Sequence, residues 1–410
     1  MSTLLDRVVP TRLGPDARRL VVATWLGQLT DGLALVAAPL AVASLTHAPF
    51  LVALAVALHR LPVLLLSPYA AFLADLVNRR LLVAAADTAR AGVLLGLAAL
   101  LALGAAPLGL LLLAMLVLGA LETMADSARG PLLPMVVSDP EERELVGGRL
   151  DAGFVIGTQL AGPVLGALLF VPAAATPFLV QAVLLGGVVA ILARLGVPGP
   201  SRGPRPVGVR HPVRSGLRRI AVDPGLSGLV LVGLAAQAAW AAGWSLLVVY
   251  AARQLGLHEA GFGLLIVAGA AGGMVGVAVR PLVDRIGRAL SKATPSRILL
   301  AGLTLEAAGH LALSRMHTPW LAAATLAALG AVGFVAGDVA RSLRRERTAA
   351  DGTADVVAAA TATLGLAATV AGCLLGGVLA EVGGIAAAYT GGGVLLATAL
   401  ILLGRRCAAL

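Results

Sequence analysis

The sequence predicts an all-α, polytopic membrane protein of twelve transmembrane helices in two pseudo-symmetric six-helix bundles. Three observations predict it. Hydrophobic residues make up 59% of the 410 positions and charged residues 13%, with a mean hydropathy of +0.94; a soluble domain carries about 25% charged residues. The apolar residues fall in stretches of bilayer-spanning length. The few charges recur at matching places in the two halves. No soluble core of this length could hide so much apolar surface, so the natural solvent is a bilayer.

About 20 apolar residues carry a helix across the hydrocarbon layer. By that measure the spans lie at roughly 20–45, 50–74, 81–104, 107–130, 148–170, 174–197, 224–251, 259–282, 296–315, 318–340, 353–380 and 384–404. Thr46-His-Ala-Pro49, Gly104-Ala-Ala-Pro107 and His317-Thr-Pro319 are turn signals between spans. The first span is too long, and too plainly followed by others, to be a cleaved signal peptide. An even number of spans places both termini on one side. The odd-to-even turns hold two basic residues, Arg253 and Arg315; Arg60 and Arg90 lie inside spans, and the remaining cations occupy the tails and even-to-odd loops. The positive-inside rule then makes both termini cytoplasmic, and the near-exclusive use of arginine for positive charge, which looks like a bacterial coding bias, suggests a bacterial inner (plasma) membrane. The chain divides into a bundle over 1–197, a basic linker over 198–222 and a second bundle over 223–410. Arg202, Arg205, Arg210, Arg214, Arg218 and Arg219, with four prolines and no acid, mark Gly199–Val222 as a disordered or surface-lying linker. Contact with anionic membrane lipids follows from that charge.

Composition also excludes function classes. The net charge of +10 is spread over many inner segments rather than gathered into a patch with aromatic residues, which argues against nucleic acid. Cys373 and Cys407 form no disulfide framework or metal spacing, and the six histidines show no His-x-x-x-His pair. The single lysine, Lys292, is not in a Walker A loop, so no ATPase of that type is present. No nucleophile–base pair or metal cluster suggests an enzyme, and no cofactor is expected.

The halves repeat. AFLADLVNRR (Ala71–Arg80), between spans 2 and 3, has a counterpart in VRPLVDRIGR (Val279–Arg288), between spans 8 and 9. Asp126-Ser-Ala-Arg129 matches Asp338-Val-Ala-Arg341, and Gly162 and Gly166 match Gly372 and Gly376. Duplicated bundles with a site at their interface are a transporter architecture. On these residues the chain resembles the major facilitator superfamily over essentially its whole length. The family's loop signature runs roughly Gly-x-Leu-Ala-Asp-Arg-x-Gly-Arg-Arg. The first copy keeps Leu73-Ala-Asp75 and Arg79-Arg80 but has Ala71, Leu76 and Asn78 at three signature positions; the second keeps Asp284, Arg285, Gly287 and Arg288 but has Arg280 for the first glycine. Gln28-Leu-Thr-Asp31-Gly32 with Pro39, Arg60-Leu-Pro62, and Arg129-Gly-Pro-Leu-Leu-Pro134 followed by Asp151–Gly166 look like the branch of macrolide and siderophore exporters, drug:proton antiporters. In span 5, Gly157, Gly162, Pro163 and Gly166 resemble the Gly-Pro motif of antiporters.

The resemblance implies alternating access about a central cavity lined by spans 1, 4, 7 and 10. It implies a cytoplasmic gate in which Asp75 and Asp284 face helix ends or arginines when the inner side is closed. Arg79, Arg80, Arg285 and Arg288 complete the islands, and the pairs Asp126–Arg129 and Asp338–Arg341 supply partners. Charges at bilayer depth are costly and mark function. Asp31 and Arg60 lie near the midplane and could pair. Glu122, with no cation in helical reach but Arg129 two turns on, reads as a lone carboxyl and the first proton carrier. Glu306, four residues before His310, is a second. Trp25 and Gln28 in span 1, and Gln237, Trp240 and Trp244 on one face of span 7, would meet substrate; Trp320 suits an interfacial belt.

The expected function is secondary export of a small hydrophobic or amphipathic molecule (an antibiotic, secondary metabolite or siderophore) in exchange for protons, with sodium as the other coupling ion. The rivals are a lysophospholipid or lipid transporter of the same fold, and a non-transporting membrane sensor.

Overall fold

A computed structural model describes residues 14–196, 210–289 and 295–408, and among these the regular structure is helical throughout. The helices are α1 (Pro15–Leu45), α2 (Pro49–Leu76), α3 (Arg79–Ala102), α4 (Leu108–Arg129), the short α5 (Leu132–Val136), α6 (Pro140–Gly153), a π-helix (Phe154–Ala161), α7 (Gly162–Phe170), α8 (Thr176–Ala193), α9 (Arg210–Val222), α10 (Pro224–Ser245), the short α11 (Leu247–Arg253), α12 (Glu259–Ala289), α13 (Pro295–Arg315), α14 (Pro319–Ala349), α15 (Ala354–Gly383) and α16 (Ile385–Ala408).

Local chemistry places the boundaries. Many helices open on proline, whose missing N–H is no loss in a first turn. Asn78 caps α3 by accepting from the Arg80 and Leu81 amides. Asp139 caps α6 from the Glu142 amide, and Asp223 caps α10 from the Gly225 and Leu226 amides. At the other ends, Gly104 (φ 63°) and Gly384 (φ 77°) take positive φ, which glycine tolerates and which stops a helix.

The predicted turns fall where the helices break. The predicted ends do not: α1, α6, α12 and α14 run past their apolar stretches, because arginine and glutamate continue a helix as readily as leucine does. The islands therefore differ from expectation. AFLADLVNRR straddles the break between α2 and α3, and VRPLVDRIGR lies wholly inside α12, with Pro281 in it. Among the described residues, eleven segments are long and apolar enough to cross a membrane, against the twelve expected. The twelfth, α13, is 21 residues long but carries Arg297, Glu306, His310 and Arg315.

The chain forms two compact units. The first comprises 1–45 and 61–206, the second 46–60 and 207–410. In the first, α1 packs on the π-helix and α7 and on α8, and α3 packs on α4 and α8. In the second, α10 packs on α15 and α16, and α13 on α14 and α16. The pairings repeat, and so do the small residues that permit them. A Cβ at Gly162 would lie 2.5 Å from Gly32 Cα of α1; one at Gly372 would lie 2.8 Å from Ala238 Cα, and one at Gly376 2.8 Å from Ala242 Cα, both on α10. Backbones approach this closely only where side chains are absent or small.

Span 5 is α6, the π-helix and α7 in series. Pro163 cannot donate to a carbonyl four residues back, and its ring crowds that carbonyl. The widened turns before it accommodate this, with the Gly162 N–H donating to Gly157 O, five residues back.

Candidate coupling site in the first unit

Three helices bring six ionisable side chains together. On α1, Gly27 and Asp31 share a face at i, i+4. On α3, Asp87 and Arg90 share one at i, i+3. On α4, Glu122, Asp126 and Arg129 align at i, i+4, i+7. Arg90 is the hub. Its Nη2 donates to Asp31 Oδ1 at 2.6 Å and to Glu122 Oε2 at 3.3 Å, and its Nη1 to Asp87 Oδ1 at 3.3 Å. Arg129 continues the chain: Nη2 reaches Asp87 Oδ2 at 3.0 Å and Nη1 reaches Asp126 Oδ1 at 2.8 Å. Gly27 leaves room for the Arg129 guanidinium, which would lie 3.6 Å from a Cβ there.

Burial makes the arrangement consequential. The Asp87 side chain is 0% exposed and that of Arg90 3%, while Asp31 and Glu122 keep 13% and 16%. Asp126, at 53%, lies at the rim. Arg90 Nε is buried with no acceptor among the described residues. Four carboxyl groups face two guanidiniums, so full ionisation leaves an excess of negative charge that a proton can relieve. Asp31 and Glu122 also share a single arginine nitrogen: neutralising either one leaves the other paired.

This corrects two expectations. The partner of Asp31 is Arg90, not Arg60, which is half-buried and belongs to the second unit. Glu122 is not a lone carboxyl, because α3 brings a cation to it that its own helix lacks. Sequence reasoning left Asp87 and Arg90 out of the site. The signal was an acid and a base one turn apart inside an apolar span.

Around the site, span 5 holds α1. Thr158 Oγ1 lies 2.6 Å from Gln28 Oε1 and 2.9 Å from Gln28 O. Trp25 donates its indole N–H to Arg149 O at 2.9 Å and packs with Val21 and Val146. Trp25 and Gln28, expected to meet substrate, thus spend their polar groups on holding two helices together. Arg79 donates to Ala74 O, and Arg80 to Leu195 O at 2.7 Å.

In the second unit, Asp338 accepts from Arg341 at 3.3 Å and also from Arg280 at 2.9 Å. Arg280 is where the sequence departs from the family signature. Arg285 is exposed; the side chains of Asp75, Asp284 and Arg288 lie outside the described residues. Gln237, Trp240 and Trp244 share one side of α10 but meet different partners. Gln237 is exposed and donates to Thr369 Oγ1 at 3.1 Å. Trp240 stacks on Trp244, with ring centroids 5.8 Å apart, and its ring meets the His310 edge at 6.4 Å. The two tryptophans, His310 and Tyr389 line a cavity of about 10 Å³, too small for more than a water. Glu306 (6% exposed) and His310 (2%) are both buried. His310 Nδ1 lies 2.9 Å from the Glu306 carbonyl oxygen, so the bond runs to the backbone and not to the carboxyl group. The Glu306 carboxyl has no ion pair among the described residues.

A third cluster ties α9 to its unit. Arg219 Nε meets Asp351 at 2.7 Å and its Nη1 meets Asp223 at 3.3 Å; Arg347 adds a contact to Asp223 at 3.2 Å. Burial alone would raise Asp223, but the Leu226 amide, Arg347 and Arg219 together hold it down at about 2. Asp351 is also lowered to about 2, by Thr353 and then Arg219. Both acids titrate lower folded than unfolded. Their contribution is therefore complete above the ordinary carboxylate range and is lost as pH falls through about 2. We expect the amide protection factors of residues 213–222, that is, exchange relative to the unfolded chain at the same pH, to be constant between about pH 5 and 8 and to fall between about pH 4 and 2. A loss of protection near neutral pH would contradict this.

Apolar helical spans in two units with repeated packing, and a charge-paired centre buried within one of them, describe a polytopic membrane protein, and its family makes it a transporter rather than an enzyme. The chain belongs to the Major Facilitator Superfamily, which it matches over residues 20–343. Its fold is similar to a crystal structure of the nucleoside transporter NupG, at 11% identity and a TM-score of 0.71, with 96% of this chain and 99% of that one covered. It is equally similar to a bacterial homolog of the human lysosomal transporter Spinster, solved inward-facing and unoccupied, at 13% identity and a TM-score of 0.70, with 96% of each chain covered. No curated protein matches in sequence.

Proposed function

We propose that this transporter exports a small hydrophobic or amphipathic molecule, such as an antibiotic, a secondary metabolite or a siderophore, in exchange for protons by alternating access. It would do so in a bacterial inner membrane with both termini cytoplasmic. The observation that carries the proton coupling is the sharing of Arg90 Nη2 by Asp31 and Glu122. A proton on Glu122 leaves the Asp31–Arg90 pair intact, and its release restores the competition for Arg90. That gives the first unit two arrangements of similar cost, which coupling requires. Export is supported by the Gly157–Gly166 motif and the likeness to the exporter branch. We assign gating to Asp75, Asp284, Arg285 and Arg288, and to the pairs at Asp126–Arg129 and Asp338–Arg341. Glu306 is a second carboxyl at depth, and Gln237 a candidate to contact substrate.

The test is efflux of a fluorescent lipophilic cation from proteoliposomes under an imposed pH gradient. Glu122→Gln should lower gradient-driven efflux about tenfold, within the usual range of coupling free energies, while substrate binding persists. Unchanged proton-driven efflux in the variant would refute the assignment, and efflux that follows a sodium gradient would refute the choice of ion.

A further inference from the structure

Helix α9 belongs to the stretch that composition marks as linker, yet residues 213–222 have a built position. Gly216 and Ile220, at i, i+4, are buried. Gly216 sits against the Val356 carbonyl and the Ala360 side chain, leaving no room for a Cβ. Ile220 packs with Leu226, Val230, Val357 and Ala360. These partners are the first turns of α10 and α15, both apolar spans, so α9 lies across their ends at the boundary of the hydrocarbon layer. One residue, Asp223, separates α9 from α10.

The opposite side of α9 exposes Arg214, Leu217, Arg218, Ala221 and Val222. Leu217 is 40% exposed and Val222 73%. Arg219 is committed to Asp223 and Asp351; Arg214 and Arg218 have no acidic partner among the described residues. The helix contains no acid of its own. A face meant for water would separate its arginines with polar residues. This one separates Arg214 from Arg218 with an exposed leucine, follows them with alanine and ends on a bare valine at the membrane boundary.

We propose that the exposed face of α9 docks anionic phospholipid headgroups. Arg214 and Arg218 pair with headgroup phosphates, and Leu217 and Val222 enter the adjoining acyl region, as basic amphipathic helices do at an interface. The proposal rests on the inner-facing topology stated above and not on substrate or direction. The network around Arg219 carries the contact to the inner ends of α10, α14 and α15, so a bound lipid bears on the second unit.

Native mass spectrometry of the purified full chain in micelles tests this, with phosphatidylglycerol and phosphatidylcholine as probes. The wild type should retain phosphatidylglycerol in preference to phosphatidylcholine. Arg214→Gln with Arg218→Gln should weaken phosphatidylglycerol retention by roughly ten- to thirty-fold, from about 1 kcal/mol per arginine at a membrane surface. The charge-matched pair Arg18→Gln with Arg345→Gln should leave it near wild type, and Leu217→Ser should weaken it for both lipids. Equal retention of the two lipids, no loss in the α9 variant, or an equal loss in the charge-matched variant would overturn the proposal. A failed proton-antiport assay leaves these binding results untouched, so the two readings fail separately.

Discussion

Replacing Arg90 by glutamine should cost about 3–5 kcal/mol of stability, the usual penalty for removing one partner from a buried ion pair, and should abolish transport. The loss is large because one guanidinium serves three acids. Asp31 and Glu122 would then face each other without a cation between them, and Asp87, fully buried, would keep Arg129 alone. Lysine should rescue only in part. Its single ammonium is a point charge, whereas Arg90 presents two terminal nitrogens in fixed directions, Nη1 to Asp87 and Nη2 to the other pair. The discriminating measurement is a double-mutant cycle on unfolding in micelles. Asp31→Asn in the Arg90→Gln background should recover part of the loss, because it removes the acid left unpaired. Strict additivity of the two substitutions would mean that the pair does not act as a unit.

The sequence revealed depth along each helix but not rotation between helices. Asp31, Arg60, Arg90 and Glu122 could each be placed near the middle of an apolar span by counting residues. Which of them met was settled by azimuth, which no single-helix pattern contains. Pairs on one helix were legible for the same reason: Asp126–Arg129 and Asp338–Arg341 need only i, i+3 spacing, and both are formed. The repeat of Gly162 and Gly166 with Gly372 and Gly376 was legible as a pattern. Its packing meaning, close contact of α7 with α1 and of α15 with α10, follows from the absent Cβ atoms. Helix α9 was hidden because arginine and proline fill the stretch Gly199–Val222 that contains it, and two buried positions, Gly216 and Ile220, carry its docking. The aromatic residues of α10 misled for a related reason. A face defined by i, i+3, i+7 is wide enough for Gln237 to reach Thr369 while Trp240 turns toward His310.

Gly162→Val should prevent stable assembly of the first unit, with the folded yield falling sharply and any folded protein inactive. The π-helix brings Gly162 against α1 so closely that a Cβ would sit 2.5 Å from Gly32 Cα, and a Cβ on Gly32 would meet Thr158 Cα at 2.8 Å and Gly162 Cα at 2.9 Å. Backbone lies on both sides of the contact, so no side chain can swing away and the helices must separate. Overpacking usually costs about 1–3 kcal/mol where side chains can adjust; here the cost falls on a crossing that cannot. Gly96→Ala on α3, where nothing lies within 4 Å of the added carbon, should instead be neutral or stabilising by up to about 1 kcal/mol, since glycine weakens a helix interior. The crossing also bears on the coupling site. Asp31 and Gly32 are adjacent on α1, about 100° apart at 3.6 residues per turn, so the face that packs on span 5 aims the neighbouring carboxylate at Arg90. Pushing α1 off span 5 strains the Thr158–Gln28 bond and shifts Asp31 relative to Arg90. Gly162→Ala, the milder change, should therefore reduce proton-coupled efflux more than its loss of stability explains, as measured by efflux normalised to folded protein. Wild-type efflux per folded molecule would separate the helix crossing from the coupling site and leave the glycines as packing residues alone.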